Sequence, residues 1–292
     1  MPELGLLFDV DGPIASPESR TVAIPGILDD LVTLARGGVP IAFITGRSDA
    51  FIATQVVEPL LAAGLAPALA EGGAGMFGVF EKGGVWAEIG ADGLAAVTVD
   101  ESVVFPVEVI AEIRDLVNRR YEDTMFFDET KRAMISVEQR TDVDRERYRD
   151  AQRRFDADAF EIIAVHGLGI RNGAEERPDA NGEVPFRFDP TIISTDIESV
   201  ALDKDRGAQR ALAYFATRGE LPRRWRTVGD SRSDYLMADH LHGAGFDVAH
   251  VDVRPSDGIL ERPYPVEVMG SRIHDEAGAE LLRRWVEALA LR

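Results

Sequence analysis

Cysteine is absent from the 292 residues, which excludes disulfides, thiolate metal sites and a cysteine nucleophile together. Any bound metal must be held by oxygen or by one of five histidines. Lysine is nearly absent too, with three against 29 arginines, so arginine is the default cation. Basic charge as a whole is outnumbered, 32 Lys and Arg facing 51 Asp and Glu for a net charge of −19. That field repels polyanions and argues against general nucleic-acid binding. No apolar run is long enough to span a bilayer, and the opening MPELGLLFDVDGP reaches Asp9 without a basic n-region. The expectation is a cytoplasmic protein with neither signal peptide nor membrane partner.

What is present is ordinary globular composition, 45% hydrophobic and 28% charged, so disordered and collagenous classes are out. At roughly 150 residues per domain the length allows one large domain or two ordinary ones. Residues 4–10 read as a strand buried on both faces and ending in carboxylates. A helix is expected from Pro25 to the Gly37-Gly38 stop, then a second buried strand over 39–45, with Ser48 placed to cap the helix after it. The same alternation returns late: helix 204–218, strand 226–229, helix 233–241, strand 246–251 and helix 275–289. One doubly wound parallel α/β sheet is thus expected to be built from both ends of the chain.

Between the ends the rhythm changes. Residues 77–80 and 85–89 read as a hairpin around Glu81-Lys82-Gly83-Gly84. A helix (106–121), two strands (124–127, 133–138), a charged helix (142–155) and strands near 160–165 and 191–199 follow, an α-β-β-α-β-β insert. Residues 167–182, rich in Gly, Asn, Pro and charge, read as a surface loop. The expected division is a core of 1–83 with 200–292 and an inserted domain of 84–199.

Four segments carry groups able to do chemistry. Asp9-Val10-Asp11-Gly12 places two carboxylates two residues apart where a strand ends, on one side of it and at the edge where open α/β sheets bind ligands. A solvated strand end explains the same pattern, whereas a calcium loop does not fit, since the EF-hand spacing and closing Glu are missing. Thr45-Gly46-Arg47 brings a hydroxyl and a cation to the same edge, and helix capping is the alternative there. Lys204 opens a late helix, either as a surface lysine or as a compact ammonium wanted where this chain would otherwise use arginine. Gly229-Asp230-Ser231-Arg232-Ser233-Asp234 follows another buried strand. It reads as an oxygen-only site favouring Mg²⁺ or as a capped αβ loop.

The order of these segments resembles the haloacid dehalogenase (HAD) superfamily of phosphohydrolases. The α-β-β-α-β-β insert resembles the type IIB cap of its Cof-like branch, which includes sugar phosphatases and phosphomannomutases, and Glu71-Gly72-Gly73-Ala74 resembles that branch's Asn-Gly-Ala segment. The resemblance implies a Rossmann-like core with a cap and an Mg²⁺-dependent phosphomonoesterase acting on a small phosphorylated metabolite, a sugar phosphate by branch. A phosphomutase and a non-catalytic HAD scaffold are the competing readings; Asp9, present here, argues against the second. Carried over by position, Asp9 is the nucleophile, Asp11 the general acid and base, Thr45 a phosphoryl hydrogen-bond donor and Lys204 the cation on nucleophile and phosphoryl group. Mg²⁺ falls to Asp9, the backbone carbonyl of Asp11 and Asp230, with Asp234 as a ligand through water or as an orienter. Gly46, Arg47, Gly72 and Gly73 fall on the substrate side, with Arg132, Arg140 and Arg171 as candidate anion contacts in the cap. Pro13, Ser233 and Glu71 depart from the family pattern, standing where Thr or Val, Asn, and Asn are usual.

Overall fold

Leu4–Phe8 forms strand β1, buried at every position, as a parallel strand covered on both faces must be. In the computed structural model, which describes residues 3–291, it leads into α1 (Pro25–Arg36), whose proline occupies the first helical turn where no amide partner is needed. Next come β2 (Ile41–Ile44) and three short helices, α2 (Asp49–Ile52), α3 (Glu58–Ala62) and α4 (Leu65–Gly72), the first two joined by a π-helical turn. Ser48 caps α2, accepting from the Phe51 amide at 3.3 Å. The strands β3 (Met76–Phe80), β4 (Val85–Gly90), β5 (Gly93–Leu94) and β6 (Thr98–Val99) follow. The middle of the chain forms α5 (Val107–Arg120), β7 (Met125–Phe127), β8 (Ile135–Gln139), α6 (Arg145–Val165), β9 (Ile170–Asn172), β10 (Glu175–Arg177), β11 (Phe186–Pro190) and β12 (Ser194–Ser199). The last stretch is α7 (Lys204–Arg218), β13 (Arg224–Gly229), α8 (Tyr235–Gly243), β14 (Asp247–Asp252), β15 (Val266–Glu267) and α9 (His274–Ala288).

The chain divides into two units, one running to Thr98 and resuming at Asp203, the other Val99–Leu202. The first is built on a sheet of order β15-β14-β13-β1-β2-β3-β4-β5. It is parallel from β15 to β3, with β4 and β5 antiparallel at one side. Helices α1 and α9 pack together, while α7 and α8 bring Ala208, Ala211, Phe215 and Met237 against Leu7, Ala42, Ile44 and Val79 of the sheet. Successive strands leave β1 in opposite directions, β2 and β3 on one side and β13 and β14 on the other. Crossovers that diverge in this way open a crevice at the carboxyl end of the central strand.

The unit Val99–Leu202 has its own sheet, order β10-β9-β11-β12-β8-β7. Its own core holds Val109, Ile113 and Val117 of α5, Tyr148, Phe155 and Phe160 of α6, and Ile135, Val137, Phe188 and Ile197 of the sheet.

Three details of the insert differ from the sequence-based expectation. Residues 160–165 are helical, because Ala159, Phe160 and Ile163 continue the buried stripe of Tyr148, Ala151 and Phe155 on one helix of 21 residues. Residues 167–182 contain the antiparallel pair β9 and β10, with Asn172 opposite Glu175; β10 is exposed throughout, so no apolar alternation marks it. Strand β11 buries Phe186 and Phe188 in a period of two, which makes the order α-β-β-α-β-β-β-β. The unit boundaries also fall later than 84 and 199, since β4 pairs with β3 in the first sheet, Val79 opposite Trp86. Among the described residues no single helix is long and apolar enough to cross a membrane.

Candidate active site

Strand β1 delivers Asp9 to the carboxyl edge of the sheet, where its amide donates to the Val228 carbonyl of β13 at 2.8 Å. Its Oδ1 accepts from the Val10 amide at 2.7 Å and lies 2.7 Å from Lys204 Nζ. Two further acceptors surround that ammonium, Asp234 Oδ1 at 2.8 Å and the Ile44 carbonyl at 2.7 Å. An ammonium is a compact charge, and here it donates to the β2 carbonyl and pairs closely with carboxylates after β1 and in the loop after β13. A planar guanidinium does not match this arrangement, which gives a physical reason for lysine in a chain of arginines. Helix α7 approaches closely enough because Gly207, one turn after Lys204, has no side chain; a Cβ there would lie 2.3 Å from Ile44 Cγ2.

The loop after β13 is organised by Asp234. Its Oδ2 accepts from the Asp230 amide at 3.0 Å, the Ser231 amide at 2.8 Å and Ser231 Oγ at 2.9 Å. With Oδ1 on Lys204, both oxygens are committed to holding protein. Asp230 points the other way, and Gly12, at φ +95°, lets the loop after β1 pass it; a Cβ on Gly12 would lie 2.9 Å from Asp230 Cγ.

Asp9, Asp230 and Asp234 each offer one oxygen within 4.8 Å of the others. Burial pushes the Asp9 carboxyl well above the ordinary range, against the pull of Lys204, and the charges of Asp234 and Asp11 add to the rise. Burial and then the charge of Asp234 push Asp230 up to about 6. Burial also acts to raise Asp234, but the Lys204 charge and the hydrogen bonds from Lys204 and Ser231 outweigh it and hold its carboxyl low. For Lys204 burial works against the charge, and Asp234 and Asp9 overcome it and hold the ammonium above its ordinary value. Three carboxylates around one ammonium fit a hard divalent cation, which takes oxygen ligands and relieves the surplus negative charge. Among the described residues Asp9 Oδ2 and both Asp230 oxygens accept no hydrogen bond, so these are the oxygens open to a metal.

The structure brings Asp11, Thr45, Gly46 and Arg47 to the same edge. Arg47 forks the Asp11 carboxylate, Nε to Oδ2 at 2.9 Å and Nη2 to Oδ1 at 3.0 Å, and its guanidinium lies 4.7 Å from the centre of the Phe51 ring. Thr45 is fully buried, and its Oγ1 accepts from the Arg47 amide at 3.1 Å.

Gly72 and Gly73 are not at this edge. They close α4 ahead of β3, and Met76 at the start of β3 lies opposite Ile41 at the start of β2, so the pair sits at the amino-terminal edge. There Gly72 packs on the Ala35 carbonyl of α1, a helix-packing position. In the unit Val99–Leu202, Arg132, Arg140 and Arg171 are all exposed, and Arg140 pairs with Asp142 at 3.1 Å.

Sequence reasoning passed over three residues at this edge. Arg254 Nη1 and His274 Nδ1 each lie 3.8 Å from Asp230 Oδ2, and only the closing of β14 and α9 onto this edge reveals them. Lys82 follows β3 in a turn whose amides bond to the loop after β2, Glu81 N–H to the Arg47 carbonyl at 3.1 Å and Lys82 N–H to the Thr45 carbonyl at 3.0 Å.

No family model matches the sequence, and no curated protein sequence matches it significantly. Solved structures do match. The C-terminal domain of C. albicans trehalose-6-phosphate phosphatase superimposes with a TM-score of 0.59 at 13% identity, over 99% of this chain and 93% of that one. The sucrose-phosphatase of Synechocystis, solved with sucrose and phosphate, gives 0.50 at 16% identity over 100% and 99%. The Plasmodium falciparum IMP-nucleotidase gives 0.54 at 12% identity over 99% of this chain and 62% of that one. At these identities the likeness establishes the fold alone, an α/β core with an inserted second unit.

Proposed function

We propose that the protein is a HAD-type phosphatase, a divalent-metal-dependent phosphomonoesterase whose substrate is a small phosphorylated metabolite, a sugar phosphate by preference. One observation carries the reading: Asp9, at the carboxyl end of the central strand, has one oxygen held by Lys204 and the Val10 amide and the other free of hydrogen bonds. A carboxylate fixed through one oxygen presents the second as a nucleophile with its rotamer already set. The sugar-phosphate preference takes its support from the shared fold, since two of the three phosphatases named above carry trehalose-6-phosphate or sucrose-phosphate in their names.

In this reading Asp9 Oδ2 attacks phosphorus and forms an aspartyl phosphate, and the leaving alkoxide takes a proton from Asp11. Asp11 then removes a proton from water, which attacks the phosphoenzyme and releases inorganic phosphate and Asp9. Lys204 neutralises the nucleophile's neighbourhood as charge builds on the phosphoryl oxygens, and Thr45 and Arg47 bind those oxygens. Arg47 holds both Asp11 oxygens in the fork, and the substrate's own anion competes for that guanidinium. Asp9, Asp230 and the Asp11 carbonyl would hold Mg²⁺, which would supply charge neutralisation at the phosphoryl group. Asp234 acts through the loop it ties and the lysine it holds. Discrimination among substrates falls to residues 99–202, since every group named in the chemistry lies in the other unit.

A phosphate-release screen over phosphorylated metabolites, with and without Mg²⁺, tests this. Metal-dependent release from sugar phosphates is the expected result. Poor hydrolysis accompanied by phosphoryl transfer between sugar positions would instead mark a mutase, and no turnover of any phosphomonoester would overturn the reading.

A further inference from the structure

We infer that Lys82 is a second ammonium of the phosphoryl site, binding an anionic oxygen of the substrate's phosphate, and that the turn carrying it is shaped for that purpose. The inference rests on the phosphatase reading and extends it to a residue outside the motif segments. Glu81, Lys82 and Gly83 have φ of +48°, +53° and +99° in succession. The first two are left-handed residues with side chains, a conformation that glycine or asparagine adopts at less cost. Backbone strain of this kind persists where surrounding structure holds it and clusters at ligand sites. The turn is held by its two amide bonds to the Thr45 and Arg47 carbonyls, so it moves with the segment proposed to bind phosphate.

The side chain follows the same segment. A Cβ placed on Gly46 would lie 3.9 Å from Lys82 Cε, so the lysine stem runs past Gly46, the residue between Thr45 and Arg47. Composition adds a separate argument. The chain has only three lysines, at 82, 131 and 204, and two of them stand at the carboxyl edge of the parallel sheet. A compact ammonium suits a phosphoryl oxygen as a point charge, where a guanidinium would claim two acceptors at once.

Lys82→Gly and Lys82→Asn both suit a left-handed turn and remove the charge, and Lys82→Arg keeps the charge. The probes are inorganic phosphate with Mg²⁺, titrated calorimetrically, and the KM for a small aryl phosphate, with thermal melting as the structural readout. Phosphate affinity in the Gly and Asn variants should fall about tenfold and KM should rise by a similar factor, roughly one charge-assisted contact. Their melting temperatures should hold or rise as strain leaves the turn, and Lys82→Arg should recover part of the affinity. A structural lysine would lower melting without moving phosphate affinity, and unchanged affinity in either folded variant overturns the inference. A wild-type protein that binds no phosphate and cleaves no phosphomonoester overturns the phosphatase reading itself, a distinct result.

Discussion

Lys204 shows how much of the candidate site depends on the shape of single groups. Its three short contacts, a hydrogen bond to the Ile44 carbonyl and ion pairs with Asp9 and Asp234, close around a compact ammonium on three sides. Lys204→Arg should therefore fail to substitute, lowering kcat/KM by two orders of magnitude or more, about 3 kcal/mol of transition-state stabilisation. Steady-state kinetics beside a circular-dichroism melt would check it. Asp230 is the carboxylate least committed to protein, and Asp230→Ala should raise the Mg²⁺ concentration needed for half-maximal activity at least about tenfold. Direct Mn²⁺ binding followed by electron paramagnetic resonance should weaken in parallel, whereas an unchanged titration would shift the metal role to Asp234. Because Asp230 is pushed up to about 6 and a metal needs the ionised carboxylate, the wild-type metal requirement should climb as pH falls through about 6. The paired carboxylates and strand-end hydroxyl were legible as residue types at strand ends. Gly72 and Gly73 were misplaced because a glycine pair marks close packing as readily as a ligand, and Arg254 and His274 carried no local signal at all.

At the scale of elements, α6 is the instructive case. Its carboxyl-terminal third reads as a short apolar run, Phe160-Glu161-Ile162-Ile163-Ala164-Val165, and such runs fit a strand or a helix equally until the neighbouring turns decide. The Asp144 cap, which accepts from the Glu146 and Arg147 amides at 3.0 Å each, starts one helix that buries residues through Ile163. On its buried face Asp156 is 8% exposed, and its Oδ1 accepts from Thr195 Oγ1 at 2.8 Å. Burial pushes its carboxyl up to about 6 from an ordinary value of 3.8, with the Thr195 hydrogen bond opposing the rise. The folded state then holds this proton more tightly than the unfolded chain, so stability is greatest below pH 4 for this group and declines as pH rises through about 6. The decline is of order 3 kcal/mol at most. Asp156→Asn keeps an acceptor for Thr195 and removes the titration. Urea unfolding of the variant should lose that slope and be more stable than wild type at pH 8, whereas the wild-type slope persisting in the variant would place its origin elsewhere.

For the whole molecule, alternation of buried strands and helices at both ends was enough to expect a doubly wound parallel sheet, because strands covered on both faces are apolar throughout. The inserted unit was harder, since its strands are short and β10 is exposed at every residue. Its boundaries depended on β4, a strand whose pairing with β3 is antiparallel and so resembles the hairpins of the insert. The separate core of Val99–Leu202 predicts that this segment expressed alone melts cooperatively, and a featureless melt would contradict that.

The central claim is that Asp9 attacks phosphorus. Rapid acid quench of the protein with Mg²⁺ and a radiolabelled phosphomonoester it hydrolyses, followed by digestion and mass mapping, tests it most directly. The account predicts one acid-stable, base-labile phosphoryl group on the peptide containing Asp9, absent from Asp9→Asn. Label on another residue, or full turnover by Asp9→Asn, would contradict it.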